Sequence, residues 1–271
     1  MNVLVVSDAF WPDYVGGITK SLWAEVKGLV ARGHQVTVVT RRLARDLPRH
    51  EIREGYEVYR YPSPPINSFL YRTYPLFSIF YMPKVLAGLE CQSFDVCFVH
   101  NPFQALGVVS ACRTIPIVYV CHAPIVMELK IEAQKGKYGI LSKIMPIGAR
   151  LLYWIEYQAL RSARIVVVRS RFIATKLQEL YKNRSLPRLE IIPLGVDSER
   201  FAFRDEPTVA RRVLGLPPDQ PLILTVRRLV ARMGLENLID AMELVKEKLP
   251  TSLLLIGGVG YLRGALEERI R

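Results

Sequence analysis

A chain of 271 residues, half of them hydrophobic and 23% charged, has enough apolar material for one large core or about two, and its composition is not that of a disordered segment. The formal net charge of +12 points to phosphate-bearing ligands, nucleic acid or an anionic membrane face. No recognised nucleic-acid-binding motif accompanies the charge, which sets nucleic acid aside.

Asn2 to Val6 is a short apolar run ending in Ser7 and Asp8; it lacks the basic start and long apolar core of a signal peptide, so no export is implied. Gly16-Gly17 follow, then a segment with Leu22, Val26, Leu29 and Val30 at helical spacing, a Gly33-His34 turn, and a β-branched run, Val36 to Thr40. That order predicts strand, glycine turn, helix, strand. Arg41 to Arg53 reads as a polar, basic connection and Glu57 to Tyr61 as a short strand. Ile66 to Leu89 is the greasiest stretch. Arg72, Pro75, Pro83 and Lys84 interrupt it, leaving too short a charge-free run to cross roughly 30 Å of hydrocarbon, although it can lie on a membrane. Val96 to Val99, Ile117 to Cys121 and Ile165 to Val168 read as buried strands, Phe103 to Arg113 and Arg171 to Tyr181 as helices, and Glu190 to Ile192 as a last short strand. Apolar runs without alternation belong to strands covered on both faces, so the sheet is expected to be mostly parallel.

Prolines and charges then dominate from Pro193 to Pro221, the best linker. Beyond it the opening pattern restarts: strand Leu222 to Val226, a basic loop Arg227 to Gly234, a helix with Leu235, Leu238, Ile239, Met242, Val245 and Leu249 on one face, strand Leu253 to Ile256, and Gly257-Gly258. A second α/β domain begins here, and one further helix to Arg271 is too little to close its sheet. Cys91, Cys97, Cys112 and Cys121 sit in apolar runs without CxxC or zinc-site spacing, and are expected to be reduced, buried thiols of a cytoplasmic protein.

Several positions could carry chemistry. A double glycine between a strand and a helix lets a phosphate approach bare N–H groups at the positive helix end; the alternative for Gly16 and Gly17 is a turn that needs positive φ. Arg227, Arg228 and Arg232 lie between a buried strand and a helix N-terminus, at the carboxyl edge where open α/β sheets bind ligands, and guanidinium forks match phosphate oxygens; the alternative is a solvated basic turn. His122 directly follows a buried strand at the same kind of edge, where an imidazole can serve in acid–base work or be structural. His100, before Asn101-Pro102, has the same topology with weaker support, and His34 reads as structural. Glu128 to Arg164 interleaves Lys130, Lys135, Lys137, Lys143, Arg150, Arg161 and Arg164 with aliphatic and aromatic side chains, which suits an interfacial helix on anionic lipid or an ordinary helix with a solvated basic face.

With both loops in view the chain resembles the retaining family-4 glycosyltransferases, which are built from two facing Rossmann-like domains. The resembling residues are Gly16-Gly17-Ile18 with Leu29 and Gly33-His34-Gln35-Val36-Thr37; His122; Ser170 with Leu177; Pro193-Leu194-Gly195-Val196-Asp197 with Phe201; Arg228-Leu229-Val230 with Gly234, Leu238, Ile239 and Ala241; and Leu255-Ile256-Gly257-Gly258 through Gly260. The resemblance implies an α/β fold of two Rossmann-like, doubly wound parallel-sheet domains. Residues 1–200 would be the acceptor-side domain, and residues 201–271 the start of a nucleotide-sugar-binding domain only partly present. It implies a nucleotide-diphosphate sugar as donor, a glycan or lipid-linked acceptor, retention of configuration, and neither metal nor cofactor. Gly16, Gly17, Arg228 and Arg232 would hold the diphosphate, His122 would serve the reacting sugar, and His100 with Asn101 would contact substrate. Met233 stands where the family usually has lysine, with Arg232 as the neighbouring cation, and the Glu-x7-Glu element of the family falls past Arg271. The expectation is therefore a cytoplasmic sugar transferase, peripheral on the inner membrane face. Its competitors are a non-catalytic fragment that binds an acceptor or a complementing chain, and a nucleotide-sugar epimerase.

Overall fold

The computed structural model describes residues 1–65, 68–127, 129, 145–202 and 206–270. In the first part of the chain the apolar runs form one eight-stranded sheet. Its strands are β1 (Asn2–Val6), β2 (Gln35–Arg42), β3 (His50–Arg53), β4 (Tyr56–Pro62), β5 (Val96–Val99), β6 (Ile117–Cys121), β7 (Ile165–Val168) and β8 (Arg188–Ile191), in the order β3-β4-β2-β1-β5-β6-β7-β8. All pairings are parallel except β3 with β4. From β1 the chain winds outward through β2 and β4 on one side, then returns to β5 on the other. The strand order therefore reverses between β1 and β5, and an open sheet has its crevice at the carboxyl ends of such a pair.

The unbroken apolar strands are explained by cover on both faces. Val3 and Val5 of β1 pack with Leu22 and Val26 of α1 (Gly17–Ala31) and with Val36, Val38 and Val58. Leu4 and Val6, pointing the other way, join a larger core. After α2 (Tyr74–Phe80) that core takes Met82 and Leu86 from α3 (Met82–Ala87) and Ala105 and Val108 from α4 (Pro102–Ala111). It also takes Ala159 and Leu160 from α5 (Met145–Ser162) and Leu177 from α6 (Arg171–Leu180). Each of the Val, Leu and Met side chains among them contributes about 1.5–3 kcal/mol on burial. Helix α1 ends where Gly33 takes φ 80°, its N–H donating to Val30 O and that of His34 to Leu29 O, a reciprocal closure that needs the left-handed residue. His34 is thus part of a helix terminus.

Three expectations change. Arg41 to Arg53 is not a simple basic connection: Arg41 and Arg42 finish β2, residues 50–53 form β3, and the Arg41 side chain is 1% exposed because Asp8 takes its charge. Cys91 and Cys112 are not free thiols. Cys91 begins a one-turn helix (Cys91–Ser93) just past α3, Cys112 caps α4, and packing of those helices brings the pair to a Cα separation of 5.4 Å and a disulfide. Cys97 and Cys121 are buried thiols outside any disulfide, as expected. In the basic-aromatic stretch, Glu128 and Lys130 through Ile144 lie outside the described residues. The described part, α5, buries Ile155 and places Ala159 and Leu160 in the core of its own sheet, leaving Leu151 and Trp154 exposed. Among the described residues no helix is long and apolar enough to cross a membrane.

The first compact unit ends at Leu194 and the second begins at Gly195. The second contains α7 (Pro207–Val213), β9 (Leu222–Val226), α8 (Leu235–Lys248), β10 (Leu253–Gly257) and α9 (Arg263–Ile270). β9 and β10 pair in parallel, with Leu222 opposite Leu253, and Leu229, Leu235, Ile239 and Leu266 make a small core.

Candidate functional site

Four strands of the first unit deliver polar side chains to one edge of the sheet. Asp8 follows β1, His100 follows β5, His122 follows β6 and Arg169 follows β7. Cys121 is in register with Val168, so His122 and Arg169 are the next positions on adjacent strands. His100 Nδ1 and His122 Nε2 lie 3.1 Å apart with the rings stacked at 24°. Burial and the nearby Arg169 guanidinium push the His122 pKa down to about 4; burial, His122 and Arg169 hold His100 well below its ordinary value. Both imidazoles are therefore neutral near pH 7. Whichever nitrogen donates between them, the pair offers one donor and one acceptor through the two outer nitrogens, His122 Nδ1 and His100 Nε2. Such a pair can orient hydroxyls and take up a proton without carrying a resident charge.

Arg169 is fixed by an ion pair with Glu25 on α1 and donates to Ile192 O at 3.4 Å, while its buried Nε has no partner. Burial raises the Glu25 pKa in spite of that arginine. Asp8 is held from two sides: Oδ2 accepts from Arg41 Nη2 at 2.8 Å, and Oδ1 from Gln104 Nε2 at 3.3 Å. Arg41 in turn lies 4.2 Å from the ring centre of Tyr74 and 5.3 Å from that of Tyr71.

The turn into α1 is built differently from the alternative reading. Gly16 is extended at φ −163°, and Gly17 is not among the positive-φ glycines, so left-handed backbone does not explain the pair. A Cβ on Gly17 would meet nothing within 4 Å, and no side chain caps the helix, so the first N–H groups are approachable. Arg60 on β4 pins this loop: it chelates Asp13 through Nε and through Nη2 at 3.1 Å, with the two side chains 0% and 2% exposed.

In the second unit the basic loop rests against the glycine loop after β10. Arg227 N–H donates to Gly257 O and Leu229 N–H to Val259 O, both at 2.9 Å, and Leu262 N–H to Leu229 O at 3.1 Å. A Cβ on Gly258 would lie 1.9 Å from Arg227 O, and one on Gly260 2.1 Å from Leu229 O. Only glycine permits that approach. Arg228 and Arg232 are exposed on this loop, while Arg227 donates to Met233 O at 3.4 Å.

The structure thus brings His100 and His122 together in the first unit and places Gly16 and Gly17 at the start of α1. Arg228 and Arg232 belong to the second unit. Asn101 Oδ1 accepts from Phe103 N–H at 3.0 Å and caps α4, which leaves its amide nitrogen for any other partner. Among the described residues no group of three or more His, Cys, Asp or Glu side chains is arranged for a metal ion. Asp8 and Arg169 escaped the sequence reading, although the rule that singled out His122, a polar residue directly after a buried strand, applies to Arg169, and Asp8 stands only one residue further on, after Ser7.

The profile described as Glycosyltransferase Family 4 matches residues 15–200. An uncharacterized glycosyltransferase of Methanocaldococcus jannaschii is 28% identical over 274 residues, covering 99% of this chain and 65% of the relative. A GDP-mannose-dependent alpha-(1-6)-phosphatidylinositol monomannoside mannosyltransferase of Mycolicibacterium smegmatis is 26% identical, covering 96% of this chain and 62% of its own length. This chain therefore spans less than two-thirds of either relative. Among solved structures, sucrose-phosphate synthase of Thermosynechococcus elongatus shares the fold at a TM-score of 0.73 and 19% identity, over 99% of this chain and 65% of that one. An Anabaena protein, HepE, in complex with UDP and glucose does so at 0.65 and 16%, over 100% and 66%. The strand order, the edge chemistry and the extent of the match lead to one assignment: the chain belongs to glycosyltransferase family 4.

Proposed function

We propose that this chain transfers a hexosyl group from a nucleotide-diphosphate sugar to a glycan or lipid-linked acceptor, with retention of configuration. The observation that carries the reading is the neutral His100–His122 pair at the sheet's switch-point edge, within the stretch that matches the family. Residues 1–200 would take the acceptor and residues 201–271 would open the nucleotide-sugar half. The N–H groups at Gly16 and Gly17 and the guanidinium groups of Arg228 and Arg232 bind the diphosphate. Departure of a nucleoside diphosphate accumulates negative charge, and fixed donors stabilise that charge most in the transition state. His122 serves the reacting sugar, His100 and the Asn101 amide contact substrate, and the reading calls for no metal or cofactor. The mannosyltransferase relative, whose name specifies GDP-mannose and a phosphatidylinositol mannoside, supports a lipid-linked acceptor and hence action at an inner membrane face.

The test is titration of the chain with GDP- and UDP-sugars, followed by product analysis with lipid extracts as acceptor. Binding of one sugar nucleotide, weakened about ten- to a hundredfold in Arg228→Ala as befits loss of charge-assisted hydrogen bonds, and an α-linked product from an α-linked donor are expected. Absence of binding to every sugar nucleotide refutes the proposal.

A further inference from the structure

We infer that the outer face of residues 69–81 is a docking surface for an anionic lipid bilayer. Phe69 is 98% exposed, and Leu70, Leu76, Phe80 and Tyr81 are 56%, 54%, 63% and 41% exposed, all in the short helical stretch Phe69–Thr73 and α2 or directly after it. Isolated exposed apolar residues are ordinary; five in thirteen positions form a patch that calls for a partner.

The inner side of the same elements is held firmly. Ser78 is buried and hydrogen-bonded to Tyr61 at 3.0 Å, and Tyr74 packs edge-on against Phe103 at 6.1 Å. The outward side chains therefore sit on a fixed support and have no inward site to occupy.

Charge selects the partner. From Pro62 to Leu89 there is no aspartate or glutamate, and both charged residues, Arg72 and Lys84, are cationic. Lys84 Nζ lies 5.1 Å from the Tyr81 ring centre, so a cation stands beside the aromatic surface. Apolar and aromatic tips with cations and no carboxylates fit the boundary between acyl chains and anionic headgroups, whereas a protein partner would normally ask for both signs at the rim. Tyr71 and Tyr74 also stack on Arg41, which holds Asp8 at the ligand edge, so the patch adjoins the edge a membrane-borne acceptor would reach. The link to an acceptor rests on the proposed function; the lipid contact itself does not.

The experiment is flotation with phosphatidylcholine vesicles with and without phosphatidylglycerol, comparing the native chain, Phe69→Asp/Phe80→Asp, and Lys84→Glu. Both phenylalanines are exposed, and an unchanged sugar-nucleotide affinity and melting temperature certify the fold. The native chain should float with the anionic vesicles, the double variant should partition at least tenfold less, and Lys84→Glu should weaken binding to anionic vesicles alone. Equal flotation of native and double-variant chains overturns the inference. So does failure of the native chain to float, or a double variant that merely turns a dimer into a monomer with flotation unaltered. Because donor binding is measured on the same samples, a native chain that binds donor and yet does not float sinks this inference alone.

Discussion

Acidification should destabilise the fold through its histidine pair. In the unfolded chain His122 titrates near its ordinary 6.5, whereas in the fold its pKa lies at about 4 because burial and Arg169 disfavour the cation. Between those values the unfolded chain binds a proton that the folded chain refuses, so stability falls as pH falls, begins to do so near 6.5, and reaches its full loss only near 4. At 1.36 kcal/mol per pKa unit, His122 alone should remove about 2 kcal/mol on going from about pH 7.5 to about pH 5. His100, also held below its ordinary value, adds in the same direction. Glu25, whose pKa burial raises, takes up its proton more readily in the fold and acts with the opposite sign. Comparison with His122→Gln cancels Glu25, because both chains carry it. Urea unfolding at the two pH values should show the native chain losing about 2 kcal/mol more than His122→Gln, and the His122 ring resonance in Arg169→Gln should titrate closer to 6.5. Equal losses in the two chains, or a native His122 that already titrates at its ordinary value, would refute the electrostatic account of the pair.

Arg60→Leu strands Asp13, whose side chain is 2% exposed, together with Glu51, and should cost about 3–5 kcal/mol in thermal or urea unfolding, with part recovered in Arg60→Leu/Asp13→Leu. Gly260→Ala puts a methyl 2.1 Å from Leu229 O, so the basic loop must shift; a loss of about 2 kcal/mol and weaker sugar-nucleotide binding are expected from calorimetry and titration. Gly17→Ala meets open space at a backbone any residue can adopt, so its melting should stay within about 0.5 kcal/mol of native while diphosphate affinity drops.

Most of the sheet was legible because its strands are buried on both faces. β1, β5, β6 and β7 start and stop where their apolar runs do; β9, in the two-stranded sheet of the second unit, does so as well although Leu224 and Val226 are exposed there. One cause of what was not legible is a side chain whose charge is cancelled at long range. Arg41 opens a stretch that reads as a polar, basic connection and Arg60 sits in a run that reads as a short strand, yet Asp8, 33 residues from Arg41, and Asp13, 47 residues from Arg60, allow both to be buried, and β2 extends through Arg41 and Arg42. Strand β3 is a short edge strand paired antiparallel to β4, with no apolar run to announce it. Cys91 and Cys112, 21 residues apart, meet only because α3 packs on α4. For the site, the position of His122 after its strand was visible, but its contact with His100 depends on lateral strand order, which periodicity does not carry.

The same argument explains why Arg169 belongs with the histidines and not with the solvated basic surface. A guanidinium at a sheet edge beside two imidazoles would be a liability if they needed to be protonated, since each would then be a cation next to a cation. Glu25 on α1 removes that conflict only in part: it neutralises the net charge of Arg169 and fixes the side chain, yet the field at His122 still lowers its pKa. The arrangement therefore favours imidazoles that act as neutral hydrogen-bonding groups. A helix that opens with the Gly16-Gly17 turn also carries, at Glu25, the carboxylate that holds this arginine, so the glycine turn and the histidine edge are set by one rigid element, α1. Displacing α1 would move both together, which is why its packing through Leu22 and Val26 matters as much to the chemistry of the edge as to the stability of the core.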